Sequence, residues 1–501
     1  MPIPESSLLL PPHGSPEDLE ALRNLLSEVG YTEARVCERL GLNSIYEFQQ
    51  RQPKNIGAQA MESALDVLIR LFIVSVDADE SVAERLLPAG SLDLLRRIGL
   101  LQEKRCIGAA MLYPMRGLYL ASDRGMWDED NTSGTDLVFA AMTGYTGEYL
   151  MVIPPKPCDA FLELCGGTGV AALIAARNGA KHVWTCDITE RATRFAEFNA
   201  RMNQIDNLTA LEGDLYDPVA GITFDRIAAH PPYVPTRKST YVFRDGGEDG
   251  EQIVRRAISG LPNFLRPGGR FYMTGLVNER DGLKAEERVR RLLGENHAEF
   301  DVVIAFIRVM LPKEFCLLEL LKGRATSDEA EQQEKVLLDL GVERMIYSWL
   351  IVQRHEKKRE PFTTRRQAGA GVGWREMEWV MQSESLWADT SEYQRLLDLP
   401  LVPGPNIESW VTERFSEGQW STVSCTLRTV SPFRVEISGP QWLSQMAKMC
   451  DGRATVRQIL GRLVENGLIE GEPPELEFVR FLRPFATAGM FELATDPAPA
   501  R

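Results

Sequence analysis

The 501-residue sequence contains only five histidines, and it has no CxxC pair, no run of about 18 apolar residues and no excess of basic charge. Each shortage excludes a class of function. The eight cysteines, at 37, 106, 158, 165, 186, 316, 425 and 450, show no regular spacing, so neither a zinc site nor a disulfide framework is expected. They read as reduced, mostly buried thiols. His13, His182, His297 and His355 form no metal-ligand spacing with His230, and no metal is expected. Without a long apolar run, no membrane partner is expected. The N-terminal "MPIPESSLLLPPHGSPEDLE" lacks the basic start of a secretory signal, which points to a cytoplasmic protein. With 71 acidic against 56 basic side chains the formal charge is −15. A polyanion is repelled by most of such a surface, so nucleic acid is not the expected partner unless a local basic patch provides for it.

What remains is ordinary globular material, 44% hydrophobic and 25% charged. At about 150 residues per domain the length suggests two to four domains. Texture divides the chain into three. Residues 1–125 read mostly as helices, with "PEDLEALRNLLSEVGY" opening on an acidic first turn and "VAERLLPAGSLDLLRRIGLLQ" resembling the end of a winged-helix-type module. "CIGAAMLYPMRGLYLASDR" alternates like strands, and the polar "GMWDEDNTSGTDLVFAAMTGYTGEYL" reads as a loop over a site. Residues 126–358 alternate strands and helices. Residues 359–501 begin with "TTRRQAGAGVGW", read as a basic, Gly-rich link between domains. There "STVSCTLRTVSPFRVEISG" reads as paired strands, followed by helices and a short β wing. This last part resembles a winged-helix module. Its Arg453, Arg457 and Arg462 face either a phosphate backbone or solvent, and the acidic whole favours a structural or dimerising role, so a homodimer enters as an expectation.

The middle third carries the chemistry. "DAFLELC", "HVWTCDI", "LTALEGD", "DRIAAH" and "GRFYMTGL" read as strands separated by helices, the alternation of an α/β parallel sheet whose ligands sit at the C-terminal strand ends. The polar motifs fall at those ends. In "ELCGGTGVAA", Gly167 and Gly169 allow a tight turn and leave the backbone open to a ligand, while Glu163 is placed to meet a cationic or ammonium group. A nicotinamide-cofactor fold competes for this glycine loop, but the third position of a GxGxxG reading is Ala172. Asp187, ending "WTCDI", stands where an acidic residue holds two ribose hydroxyls. Asp214, in "EGDLYD", is placed to accept from an adenine amino group.

The ordered series of glycine loop, Asp187, Asp214 and "HPPY" resembles the class I S-adenosylmethionine-dependent methyltransferases. The nearest likeness is to their amino-methylating branch, which includes the HemK-like release-factor glutamine methyltransferases. The resemblance spans roughly residues 126 to 355, with "ERMIYSWLIVQRH" as a final strand. It implies a Rossmann-like sheet flanked by an N-terminal helical and a C-terminal winged-helix-like domain. It also implies S-adenosylmethionine as cofactor and S-adenosylhomocysteine as product. Ile188 and Leu215, next to the two acidic residues, join the cofactor set. The branch has Asn or Asp where this chain has His230. There the amide oxygen and the following proline carbonyl accept from the target NH2, and an aromatic ring packs on it. By position Pro231 supplies the carbonyl and Tyr233 the ring.

An imidazole accepts one hydrogen bond when neutral, or takes up a proton near neutral pH, which an amide cannot do. His230 therefore fits a target nitrogen that arrives protonated. The alternative is that its ring only fills the amide's slot and caps a turn. Asp245, Glu248, Asp249 and Glu251 lie within seven residues of one another after the motif and would give a guanidinium bidentate partners. Their alternative is a set of helix-start carboxylates favoured by the macrodipole. Tyr145 and Glu148, in "GYTGEYL", lie just before the first strand and either line the site or pack a helix start. Together these residues favour a small cationic amino acid as acceptor, with the guanidino nitrogen of free L-arginine first. The arginine Nδ-methyltransferases of specialised metabolism, known from streptozotocin biosynthesis, are similar in this logic. The other readings are a methyltransferase acting on a protein glutamine or RNA, and a cofactor-binding protein without activity.

Overall fold

The computed structural model describes residues 10–51, 60–124, 135–237, 241–369, 371–430, 432–471 and 474–494. Two compact units divide the chain: Met1–His297 with Met310–Glu356, and Ala298–Val309 with Lys357–Arg501. The boundary expected at 125/126 separates no units. One apolar core, from Leu19, Leu22 and Leu26 through Val138 to Phe195, Phe198 and Ala228, is shared by the N-terminal helices and the βα alternation.

In the first unit, helix Pro16–Val29 starts at Ser15, whose hydroxyl accepts from the Asp18 amide, and ends at Gly30 with φ +69°. Residues Met111–Met115 and Leu118–Ser122 form an antiparallel hairpin. Arg116 and Gly117 at its turn both have positive φ, the conformation that matches strand twist in a two-residue hairpin loop.

The central sheet contains β1 (Ala160–Leu164), β2 (His182–Asp187), β3 (Leu208–Glu212), β4 (Phe224–Ala229), β5 (Leu265–Arg280) and β6 (Val342–Arg354). The helices used below are α1 (Gly144–Met151), α2 (Val170–Arg177), α3 (Glu190–Met202) and α4 (Gln252–Phe264). The strand order is β6-β5-β4-β1-β2-β3. The pairs within β1 to β5 are parallel, and β6 runs antiparallel to β5. The sheet is thus mixed where the sequence pattern suggested a parallel one. β1 is buried at all five positions, as a strand covered on both faces must be.

Helix α3 ties the hairpin to this sheet. The Asn199 side chain accepts from the Ala121 amide at 2.7 Å and donates to the carbonyls of Ala121 and Thr168 at 3.0 Å. Asn203 repeats the pattern one turn on, accepting from the Tyr119 amide at 2.8 Å and donating to its carbonyl at 2.7 Å. A buried ion pair adds to the link, with Arg191 Nε donating to Asp123 Oδ2 at 2.7 Å.

In the second unit, Phe300–Met310 pairs in parallel with Thr363–Ala368, which continues antiparallel to Phe433–Gly439 and on to Gln419–Thr429 and Glu408–Ser416. The expected link "TTRRQA" is therefore a strand. Its Arg366 is held in the interior by Glu384 at 2.6 Å, a pairing that sequence composition does not reveal. Helices Leu443–Met449, Val456–Glu465 and Glu475–Thr487 precede a short strand, Phe491–Leu493, paired with Leu401–Pro403. Arg457 is paired with Asp398 and Glu475, while Arg453 and Arg462 are exposed. Among the described residues no helix is long and apolar enough to cross a membrane.

Candidate active site at the strand ends

The glycine loop leaves β1 through Cys165 and Gly167, with φ +54° and +53°, and enters α2 at Gly169 with φ +74°. A Cβ at Gly166 would lie 1.9 Å from Thr185 Oγ1, and one at Gly169 would lie 3.0 Å from Ala196 Cβ, so the loop is pressed against β2 and α3. Asp187 ends β2 half-buried. Its Oδ2 accepts from the Gly167 amide at 3.0 Å and its Oδ1 from the Thr189 amide and hydroxyl at 3.2 Å. Burial raises its carboxyl above the usual range against these bonds. The next residue, Ile188, is 44% exposed, an apolar surface beside a polar carboxylate that suits the face of a base. Leu215 is buried, and Asp214 pairs with Arg256 at 2.9 Å.

Glu163 differs from its expected role. It is buried behind the loop, where its oxygens accept from the Ala171 and Ala172 amides at 3.1 and 3.0 Å. These are orphan donors at the start of α2, so the carboxylate holds the helix rather than waiting for an ammonium group. Burial pushes it up to about 7.

His230 follows β4, and its ring stacks on Tyr149 of α1 at 5.2 Å between centroids. Tyr233 lies 6.0 Å from it on the other side. Pro231 between them is buried. The imidazole keeps a partly open edge but is walled in by protein, and desolvation lowers it to about 4. The expected proton uptake near neutral pH is thereby removed. The ring is neutral there and can accept a hydrogen bond.

From Tyr233 the rings continue to Tyr347 of β6 at 5.6 Å, and from Tyr347 to Tyr145 of α1, edge-on at 6.1 Å. Tyr347 Oη donates to Glu148 Oε2 at 2.9 Å. Tyr145, Glu148, His230 and Tyr233 thus belong to one cluster. Two members escaped the sequence reading. Tyr149 had a signal, since it lies four residues after Tyr145 and so on the same helix face. Tyr347 had none, because it sits mid-strand in "MIYSWL" far from any motif.

The acidic run after the motif has partners within the protein. Asp245 accepts from the Tyr241 amide at 2.9 Å and pairs with Arg244. Asp249 is engaged by Arg255 and Arg280, and Glu251 by Arg288 at 2.8 Å and the Asn278 amide at 2.8 Å. Glu248 is exposed. An incoming guanidinium would have to displace an existing arginine from Asp249, which corrects the expectation that this carboxylate is open to substrate. Residues 125–134 of the expected covering loop lie outside the described residues. The chain from residue 135 onward packs beside the motif, with Phe139 stacked on Phe243 at 4.9 Å.

These donors fit S-adenosylmethionine. A turn without side chains passes over α2, a ribose-type carboxylate is oriented by that turn's own amide, and an exposed isoleucine adjoins it. Comparison with known proteins agrees. Residues 146–299 match the family model described as the methyltransferase small domain. A Methanocaldococcus jannaschii protein named as an N5-glutamine methyltransferase is 36% identical over 129 residues, 24% of this chain and 64% of its own length. The release factor glutamine methyltransferase of Moorella thermoacetica is 34% identical over 127 residues, 23% of this chain and 45% of its own. The chain thus spans less than two thirds of these relatives. A solved ribosomal protein L11 methylase from Lactobacillus delbrueckii subsp. bulgaricus is 18% identical, covering 39% of this chain and 70% of that one at a TM-score of 0.23. The matched segment and its strand-end geometry make this a chain that carries a class I S-adenosylmethionine-dependent methyltransferase domain.

Proposed function

We propose that the protein is an N-methyltransferase whose acceptor is a small cationic amino acid, the guanidino nitrogen of free L-arginine before others. The observation that carries this reading is a neutral, walled-in imidazole at the position where the resembled branch has an amide. It adjoins a cluster holding one partly buried carboxylate, Glu148.

When bound, S-adenosylmethionine supplies a methyl group on a sulfonium centre, open to in-line displacement. Asp187 holds the ribose end, and the loop from Gly166 to Gly169 admits the rest. His230 accepts the acceptor's N–H, Pro231 offers its carbonyl and Tyr233 packs on the flat group, so that the nitrogen faces the methyl. As the N–C bond forms and the C–S pair passes to sulfur, the nitrogen's proton becomes strongly acidic, and His230 takes it. An imidazole near 4 is basic enough for that acid while remaining uncharged when a cation enters. Positioning provides most of the acceleration.

The second reading is a protein glutamine as acceptor, and it is supported by the names of the two glutamine methyltransferase relatives. Labelled S-adenosylmethionine offered with free arginine, other amines, release-factor protein and RNA separates the two. Label in free arginine supports the first reading, and label confined to a glutamine of a protein replaces it with the second.

A further inference from the structure

Five rings, Tyr149, His230, Tyr233, Tyr347 and Tyr145, succeed one another at centroid spacings of 5.2, 6.0, 5.6 and 6.1 Å. They come from α1, the segment after β4, and β6. A core needs no such series of phenols, because each buried hydroxyl demands a partner. Tyr149 Oη is buried without one. Tyr347, itself buried at 7% exposure, spends its hydroxyl on Glu148 rather than on backbone. A carboxylate that accepts from a phenol keeps its charge and loses its freedom to rotate, while its remaining lone pairs stay in the plane that a flat cation requires. The faces of tyrosine rings within about 6 Å of a cation add attraction that a neutral amide does not receive.

We infer that Tyr347 is a specificity-determining residue that, by fixing Glu148 beside the ring series, selects a planar guanidinium over an ammonium group or a carboxamide. This deepens the cationic-acceptor reading and rests on it. Tyr347 acts on recognition by two routes. Its ring forms part of the wall, and its hydroxyl orients the carboxylate. Replacing it by Phe removes only the second route, replacing it by Leu removes both, and Glu148→Gln removes the charge.

The test uses the full chain saturated with S-adenosylhomocysteine. Calorimetry measures binding of L-arginine, L-lysine and L-glutamine, and steady-state assays give kcat and KM for each. For Tyr347→Phe the expected result is an arginine Kd and KM about tenfold higher, with kcat within about twofold and S-adenosylhomocysteine affinity unchanged, as for loss of one charge-assisted bond. Tyr347→Leu and Glu148→Gln are expected to lose about tenfold more, and the preference for arginine over lysine to narrow in all three. If wild type binds and methylates arginine while the Phe and Leu variants keep its Kd and the arginine-to-lysine ratio, the inference is overturned and the cationic reading stands. If wild type binds no guanidino or amino compound yet methylates a glutamine in a protein, the reading itself fails and the inference with it. Loss of S-adenosylhomocysteine binding in the Phe variant would show a structural role and also overturn it.

Discussion

A neutral imidazole at His230 moves the expected acid limb of kcat/KM well below its ordinary position. The folded value near 4 lies under the ordinary 6.5, so the ring stays uncharged until pH falls below about 5. A limb centred near 6.5 would exclude this environment. Stability responds with a definite sign: unfolded chains bind this proton first, so the contribution is whole above 6.5 and is lost as pH falls towards 4. His230→Ala should lower kcat about 100-fold while leaving S-adenosylhomocysteine affinity within twofold, measured by calorimetry. Asp187→Ala should do the reverse, weakening that affinity about 10- to 100-fold through lost bonds to a charged group. Glu163 titrates oppositely to His230. Its raised value means that its share of stability is full below 4.5 and is lost as pH rises through 7. Glu163→Gln should flatten the thermal midpoint across that window, and parallel profiles for the two proteins would refute a carboxyl titrating there. At this scale the sequence placed Asp187, His230 and Tyr233 at strand ends because motif order encodes position along the chain. It misplaced Glu163, whose partners are backbone amides that only the folded start of α2 presents, and it had no means of finding Tyr347.

Among the elements, the strands and helices of the βα alternation were legible because apolar runs of five or six residues and a helical period survive in a single sequence. Helix α2 ends as "VAALIAARNG" suggested, with Gly179 at φ +89°. The strand Thr363–Ala368 was not legible, since Arg366 is polar in composition and interior in fact. Nor was the strand Glu408–Ser416, exposed at every position and so without a buried face to pattern it. The glycine loop carries its own prediction. Gly169→Ala forces a side chain into left-handed backbone and against Ala196, and should cost about 1–2 kcal/mol, seen as a fall of a few degrees in Tm. An unchanged midpoint would mean that the loop has room to move away.

The molecule as a whole is acidic, and its first unit binds N-terminal helices and methyltransferase sheet into one core. That junction is testable at Asp123–Arg191. Arg191→Leu leaves a buried carboxylate alone and should destabilise by about 3–5 kcal/mol in denaturant titration, whereas the double change to two apolar residues should recover much of it. The domain boundaries proposed from texture could not anticipate this, because compositional change along a chain says nothing about which segments share an interior. The asparagine ladder on α3 has a different outcome for the same junction. A hairpin strand at Leu118–Ser122 would ordinarily offer a row of free amides and carbonyls to any passing chain, and Asn199 and Asn203 satisfy Tyr119 and Ala121 before another strand can. Two side-chain amides thus act as a counterfeit neighbouring strand, and at high cellular concentration they protect this protein from recruiting its own copies edge to edge.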